Sequence, residues 1–173
     1  DLIDSMVVSK VLIVAPLRVA NSVWHVEAAR WQHTKHLKFS IVTGSEKERL
    51  AALHKTADIY VINRENVTWI VEHYAKKWPF DMIVLDEASS FKSSSSQRFK
   101  SLRKTIPFTN RLVELTGTPS PNGLLDIWSQ MYLLDCGERL GRSMTAYKQR
   151  FFEAGYNGYS FKPVKSADKI IHK

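Results

Sequence analysis

The stretch Met82-Ile83-Val84-Leu85-Asp86-Glu87-Ala88-Ser89 joins four apolar residues to two adjacent carboxylates. A short, continuous apolar run is typical of a strand buried in a parallel sheet. The carboxyl ends of such strands border the ligand crevice of α/β proteins, so Asp86 and Glu87 are expected there. One acid at this place can hold Mg²⁺ through its water shell, and the next can orient and deprotonate a water. The stretch alone fits an ordinary acidic loop as well, and the rest of the chain has to distinguish the two.

Outside this stretch, apolar runs of strand length alternate with segments of helical periodicity. Further strands are predicted at 11–15, 39–42, 59–62 and 111–115. Helices are predicted at 21–31, 46–54, 67–77, 97–104, 124–134 and 145–152. Residues 1–8 look like the end of a helix, and Ser45 with Glu48 has the spacing of a capping box. The alternation predicts an α/β fold with a mostly parallel central sheet flanked by helices.

Composition limits the class of protein. A chain of 173 residues, 44% of them hydrophobic, fits one domain. No apolar run could cross a membrane and no signal peptide is recognisable, so a cytoplasmic protein is predicted. The net charge of +8 favours a polyanionic partner such as nucleic acid, although a merely solvated basic surface would give the same figure.

The residues that most often bind metals or form disulfides suggest no separate site. The single cysteine, Cys136, is predicted to be a buried small hydrophobe, since it has no partner for a disulfide. His25, His33 and His36 lack acidic or cysteine companions at a metal-binding spacing, so they are predicted to be surface or packing residues.

Polar residues follow four of the predicted strands. The exits are Pro16-Leu17-Arg18, Asn63-Arg64, Asp86-Glu87 and Thr116-Gly117-Thr118. Because parallel strands end at one edge of a sheet, all four exits are expected to face one crevice.

These exits, in this order, resemble the first motor lobe of superfamily-two helicases. The resemblance is closest to the Swi/Snf-type helicase-like ATPases, including versions encoded by bacteriophages. It is carried by 11–17 with Trp24 and Glu27, by 86–89 with Lys92, and by 115–119 with Asn122, Leu125 and Trp128. The fold that it implies is a RecA-like three-layer sandwich.

The resemblance also implies roles for individual residues. Asp86 would hold Mg²⁺ through water and Glu87 would activate the attacking water, in agreement with the roles expected from the residues themselves. Coupling of nucleotide state to nucleic-acid movement would fall on Ser89, Thr116, Gly117 and Thr118. Contacts to the nucleic-acid backbone would fall on Pro16, Leu17, Arg18, Asn63, Arg64 and Lys92.

For three of these positions, the sequence also allows a different interpretation. Arg64 could equally form a surface ion pair, and Lys92 could simply be solvated. Ser89 stands where the family most often has His; a serine can still donate a hydrogen bond to the Thr-Gly-Thr loop, but it cannot change charge near neutral pH.

The sequence lacks the phosphate-binding loop Gly-x-x-x-x-Gly-Lys-Ser/Thr, and none of its seven glycines precedes a lysine. It also lacks a second lobe with the arginine that completes ATP hydrolysis. We therefore expect residues 1–153 to be a partial first lobe, and 154–173 to be an irregular tail or a linker towards the missing second lobe.

The expected function is that of a fragment of a DNA-dependent ATPase or translocase. ATP and Mg²⁺ would be cofactors of the full-length parent and would not bind tightly to this chain alone. Expected partners are DNA, with RNA as an alternative, the missing second lobe, and a protein partner, but no membrane. The main alternative function is a stand-alone module, derived from a helicase lobe, that binds nucleic acid or a protein; a metal-dependent nuclease or phosphatase is a weaker one.

Overall fold

Five parallel strands form the central sheet of the computed structural model, which describes residues 2–120, 123–156 and 160–171. The strands are β1 (Val11–Ala15), β2 (Phe39–Val42), β3 (Ile59–Asn63), β4 (Met82–Asp86) and β5 (Arg111–Leu115). They lie in the order β2-β3-β1-β4-β5, and every neighbouring pair is parallel. The predicted α/β fold is confirmed, and the predicted strands match the observed ones to within one residue.

The α-helices within the described residues are α1 (Leu17–Ser22), α2 (Trp24–Arg30), α3 (Glu46–Leu53), α4 (Val67–Tyr74), α5 (Gln97–Arg103), α6 (Ile127–Asp135), α7 (Met144–Phe151) and α8 (Ala167–Ile171). The predicted capping box is present, because Ser45 and Glu48 exchange backbone and side-chain hydrogen bonds at the start of α3. None of the helices in the described part of the chain is long and apolar enough to cross a lipid bilayer.

The helix predicted at 21–31 is in fact two helices. The first begins directly after Pro16, whose carbonyl accepts the N–H of Ala20 at 2.9 Å. Proline has a fixed φ and no N–H to leave unpaired, so it suits the start of a helix as well as the end of a strand. A break at Val23, with φ of −110°, separates α1 from α2.

Both ends of the chain differ from the predictions. Residues 2–7 form turns and a bend rather than the end of a helix, and Met6 has a left-handed φ of 57°. The carboxylate of Asp81 accepts hydrogen bonds from Ser9 and from the backbone N–H of Lys10, which ties this segment to the start of β4. Donation by Ser9 in particular holds the pKa of Asp81 below its usual value.

The segment from residue 154 was predicted to be irregular, but its described part is ordered. Strand β6 (Phe152–Ala154) pairs with β7 (Phe161–Pro163) in an antiparallel hairpin, and α8 follows with Ala167 fully buried. Strands of three residues are too short for alternating polarity to be recognised in a sequence.

Cys136 is exposed, contrary to the prediction of a buried residue. It ends α6 in the left-handed conformation, with φ of 56°, and its N–H donates to the carbonyl of Tyr132. A helix that ends on such a residue turns sharply, and this turn leaves the side chain at the surface.

The two faces of the sheet are covered unequally. Leu12, Ile62 and Leu85 point into the larger core, beneath the helices that follow β2, β3, β4 and β5. Ile13 and Val84 point to the other face, which is covered by the smaller layer of α1, α2 and the N-terminal turns. The connection after β1 therefore crosses one face and the connection after β4 crosses the other, which places a crevice between the ends of these neighbouring strands.

Glu114 is a carboxyl on the core-facing side of β5. It lies beside Leu85 in the register, and its Oε1 has no hydrogen-bond partner among the described residues. Burial raises the pKa of Glu114 to about 8, because the charged form loses its hydration. The folded protein therefore holds this carboxyl mostly protonated at neutral pH.

We predict that Glu114→Gln stabilises the protein in a pH-dependent way. The pKa of Glu114 rises from an ordinary 4.5 in the unfolded chain to about 8 in the folded protein. Proton binding by this group therefore stabilises the wild-type fold fully below pH 4.5, and this stabilisation is lost as the pH rises from 4.5 through 8. Glutamine keeps the shape without the ionisation. The free energy of unfolding should exceed that of the wild type by about 2–4 kcal/mol above pH 8, and by little near pH 5. Urea denaturation at both pH values measures the difference; a constant difference would contradict the prediction.

Candidate active site

The predicted exits lie along one edge of the sheet. In the parallel register Ala15 is opposite Asn63, and Asp86 is opposite Leu115. Residues 16–18, 63–64, 86–87 and 116–118 therefore all stand at or just beyond the carboxyl ends of their strands, as predicted. The acidic pair and the Thr-Gly-Thr loop follow two strands that are direct neighbours, β4 and β5.

Asp86 points towards the smaller layer of helices. Its Oδ2 accepts a hydrogen bond from the indole Nε1–H of Trp24, the first residue of α2, at 3.0 Å. Its Oδ1 accepts no hydrogen bond from the described residues. Sequence reasoning did not find this contact, because 62 positions separate the two residues and only the fold brings them together.

Glu87 has a strained backbone. Its φ of 60° and ψ of 55° are left-handed, a conformation that costs a residue with a side chain about 1–3 kcal/mol. Such strain is concentrated at functional sites. The exposed carboxylate accepts a hydrogen bond from the Ser89 hydroxyl at 3.1 Å. Ser89 therefore donates to Glu87, two residues before it in the chain. It does not donate to the Thr-Gly-Thr loop, which is the acceptor suggested by the sequence.

The Thr-Gly-Thr loop is held by its own hydroxyl and by α6. The N–H of Thr118 donates to Oγ1 of Thr116 at 3.2 Å, whereas a side chain at Gly117 would meet open space. Gln130 of α6 is buried and donates to the carbonyl of Pro119 at 2.5 Å and to that of Asp126 at 3.0 Å. Asn122, which carries part of the resemblance, lies outside the described residues.

A second contact joins α6 to the loop that follows Asp86 and Glu87 and includes Lys92, which we call the acidic loop. Lys92 Nζ lies 3.6 Å from the Oδ2 of Asp126; the Asp126 side chain is largely buried, whereas the Lys92 side chain is 35% exposed. Lys92 is thus paired with Asp126 at the protein surface, and it could reach a ligand only by breaking this bridge. Gln130 and Asp126 were missed by sequence reasoning, although their spacing of four residues puts them on one side of a helix.

The remaining edge residues differ in exposure. Leu17 and Arg18 are exposed at the start of α1. Arg64 Nε contacts Oε1 of Glu65 at 3.1 Å, so the surface ion pair considered from the sequence is present. Asn63 is buried, at 6% exposure; its Nδ2 donates to Glu65 and its Oδ1 accepts from Asn66. The amide of Asn63 therefore stabilises the turn formed by residues 63–66 through hydrogen bonds inside that turn.

Comparison with known proteins identifies relatives of the whole α/β unit. The model of the SNF2-related domain matches residues 4–155. The putative protein p41 of Acyrthosiphon pisum secondary endosymbiont phage 1 is 42% identical over 148 residues, which are 82% of this chain and 32% of that protein. The mouse DNA excision repair protein ERCC-6-like is 31% identical over 150 residues, which are 82% of this chain and 12% of that protein.

Solved structures give the same family. The Sulfolobus solfataricus SWI2/SNF2 ATPase core, determined in complex with dsDNA, superimposes with a TM-score of 0.72 at 25% identity and covers 87% of this chain. Our chain corresponds to 30% of that core, so it spans a third or less of each of these relatives. With a family match over most of its length and a RecA-like fold, this chain belongs to the SNF2-related domain family.

Proposed function

We propose that the chain is most of the first lobe of a DNA-dependent ATPase or translocase, and that it does not hydrolyse ATP alone. The observation that carries this proposal is the arrangement at the sheet edge. Asp86 and the strained Glu87 end β4, the Thr-Gly-Thr loop follows the adjacent β5, and α6 contacts both loops through Asp126 and Gln130.

The residues fit a water-mediated magnesium ion. The described residues contain no group of three His, Cys, Asp or Glu side chains that could enclose a metal. Magnesium does not need such a group, because it keeps several waters and is usually bound by one or two carboxylates together with substrate phosphates. Asp86 would hold the ion through water at Oδ1, the oxygen that Trp24 leaves open.

Glu87 would serve as the base that takes a proton from the attacking water. Ser89 contacts Oε1, so Oε2 can accept the proton while the carboxylate keeps its orientation. Mg²⁺ and ATP, when bound by the complete site, supply the phosphoryl group and neutralise its charge. The sequence has no glycine-lysine loop to hold the triphosphate, which supports inactivity of the chain alone.

The contacts of α6 support a coupling role for Thr116, Gly117 and Thr118. The bridge between Lys92 and Asp126 ties the acidic loop to the start of α6, and Gln130 ties the Thr-Gly-Thr loop to its middle. A shift of either loop would therefore displace the helix that holds the other.

DNA is proposed as the partner because of the net charge of +8 and the position of basic residues at this edge. Arg18 and Arg64 would contact phosphates, with Pro16 and Leu17 beside them, and Asn63 would support Arg64 through Glu65, to which both side chains donate hydrogen bonds. Lys92 would join them only where its bridge to Asp126 opens. Contacts of this kind are insensitive to base sequence.

We predict that Glu87→Gln in the full-length protein leaves nucleotide binding intact and lowers ATP hydrolysis at least about 100-fold, because the amide cannot accept the proton. Steady-state phosphate release and nucleotide affinity measure the two effects. Glu72→Gln, at an exposed carboxyl of α4, is the matched control and should change neither. Unchanged turnover in Glu87→Gln would contradict the role of Glu87.

The purified 173-residue chain should release no phosphate from ATP above the background, with or without DNA. The physical reason is the missing triphosphate loop, without which the acidic pair has no anchored substrate. DNA-stimulated release that Glu87→Gln abolishes would contradict this prediction and would show a complete site in the chain.

Binding of the chain to duplex DNA should be weak, independent of sequence and strongly reduced by salt. Arg18→Gln and Arg64→Gln should each lower the slope of log affinity against log salt by about 1. Lys104→Gln, at the far end of α5 before β5 begins, is the charge-matched control and should not change the slope. Fluorescence anisotropy with labelled DNA, and with RNA of the same sequence, measures these slopes; affinity that does not vary with salt would contradict phosphate contacts.

A further inference from the structure

We propose that Trp24 is a positioning residue for Asp86: its indole N–H holds one carboxylate oxygen so that the other faces the metal. This inference rests on the proposed function, because it assumes that Asp86 holds a divalent cation. It assigns a defined task to a tryptophan that would otherwise count only as packing.

The geometry starts from the alternation of side chains along β4. Val84 and Asp86 lie on the same face of the sheet, and α2 crosses that face. Trp24 opens α2 and packs against the smaller core cluster, which contains Ile13 and Val84 of the neighbouring strands β1 and β4. The Nε1–H then meets Oδ2 of Asp86 at 3.0 Å.

The chemistry of the donor suits a metal ligand. A carboxylate that ends a strand can rotate, and a fixed donor on one oxygen removes that freedom. A neutral indole N–H does so without a positive charge that would compete with the cation, whereas an arginine or lysine would neutralise the carboxylate. Within the described residues, Asp86 takes part in no ion pair, so its full charge stays available to a cation.

The contact also crosses the crevice between the neighbouring strands β1 and β4. Trp24 belongs to the connection that follows β1, and Asp86 ends β4. The hydrogen bond therefore joins the two chain segments that leave the sheet on opposite faces at this crevice.

The test uses the 173-residue chain with Mn²⁺ as the probe, because Mn²⁺ prefers the same oxygen ligands and reports its binding by paramagnetism. Free Mn²⁺ is measured by electron paramagnetic resonance in millimolar titrations. Trp24→Phe removes the N–H and keeps most of the ring. Loss of a hydrogen-bond partner of a direct metal ligand typically weakens metal binding about 10- to 100-fold. Because Asp86 would hold the ion through water, we expect the lower end of this range, about tenfold weaker Mn²⁺ binding. Trp31→Phe, at the exposed end of the same helix, is the matched control and should bind as the wild type does.

A second measurement needs no tryptophan variant to fold. In ¹H–¹⁵N spectra of the wild type, Mn²⁺ should broaden the indole signal of Trp24 before those of the other four tryptophans. Asp86→Asn should abolish both the broadening and the Mn²⁺ affinity.

The outcomes separate the two proposals. Equal Mn²⁺ affinity in the wild type and in Trp24→Phe would overturn the positioning role and leave the metal role of Asp86 standing. Equal affinity in the wild type and in Asp86→Asn, or no binding to the wild type, would overturn the metal role and with it this inference.

Discussion

The parallel pairing of β4 with β1 on one side and β5 on the other is the constraint on which the site depends. Parallel strands all end at the same edge, so one strand order is enough to bring distant parts of the chain together. Asp86, Trp24 and Thr116 become neighbours of one crevice although they are far apart in sequence. The hydrogen bonding of the sheet therefore sets the positions of the strand exits, and the side-chain contacts of Trp24 and α6 complete the site.

Much of this architecture could be predicted from the sequence, and the reason is the density of apolar residues in the strands. The central strands β1, β3 and β4 are buried by both layers of helices, so each appears as a continuous apolar run such as 82–85 or 11–15. The polar residue that ends each run could be assigned to the edge because parallel sheets leave no other place for it. The capping box at Ser45 could also be predicted from the sequence, since both of its hydrogen bonds lie within four residues.

The contacts that complete the site were not predictable in the same way. The bond from Trp24 to Asp86 and the bridge from Lys92 to Asp126 join side chains on separate elements, and no local pattern encodes which rotamers will meet. Glu114 looks from sequence like the polar residue of a half-exposed strand, but the fold buries its Oε1 and removes hydration from the carboxyl. The prediction of an irregular tail was wrong for a different reason. The two strands of its hairpin are only three residues long, and contacts such as that of Lys148 over the ring of Phe161 help to hold them.

The exposed thiol that ends α6 has a practical consequence. Cys136 is the only cysteine in the chain, and it stands at the far end of the helix whose Gln130 holds the Thr-Gly-Thr loop. A fluorophore or spin label attached there would be the sole label on the protein and would need no background cysteines removed. Rotation of α6 about its contacts with the two loops would change the surroundings of that label, so the chain already carries an attachment point for following the movement of its loops in solution.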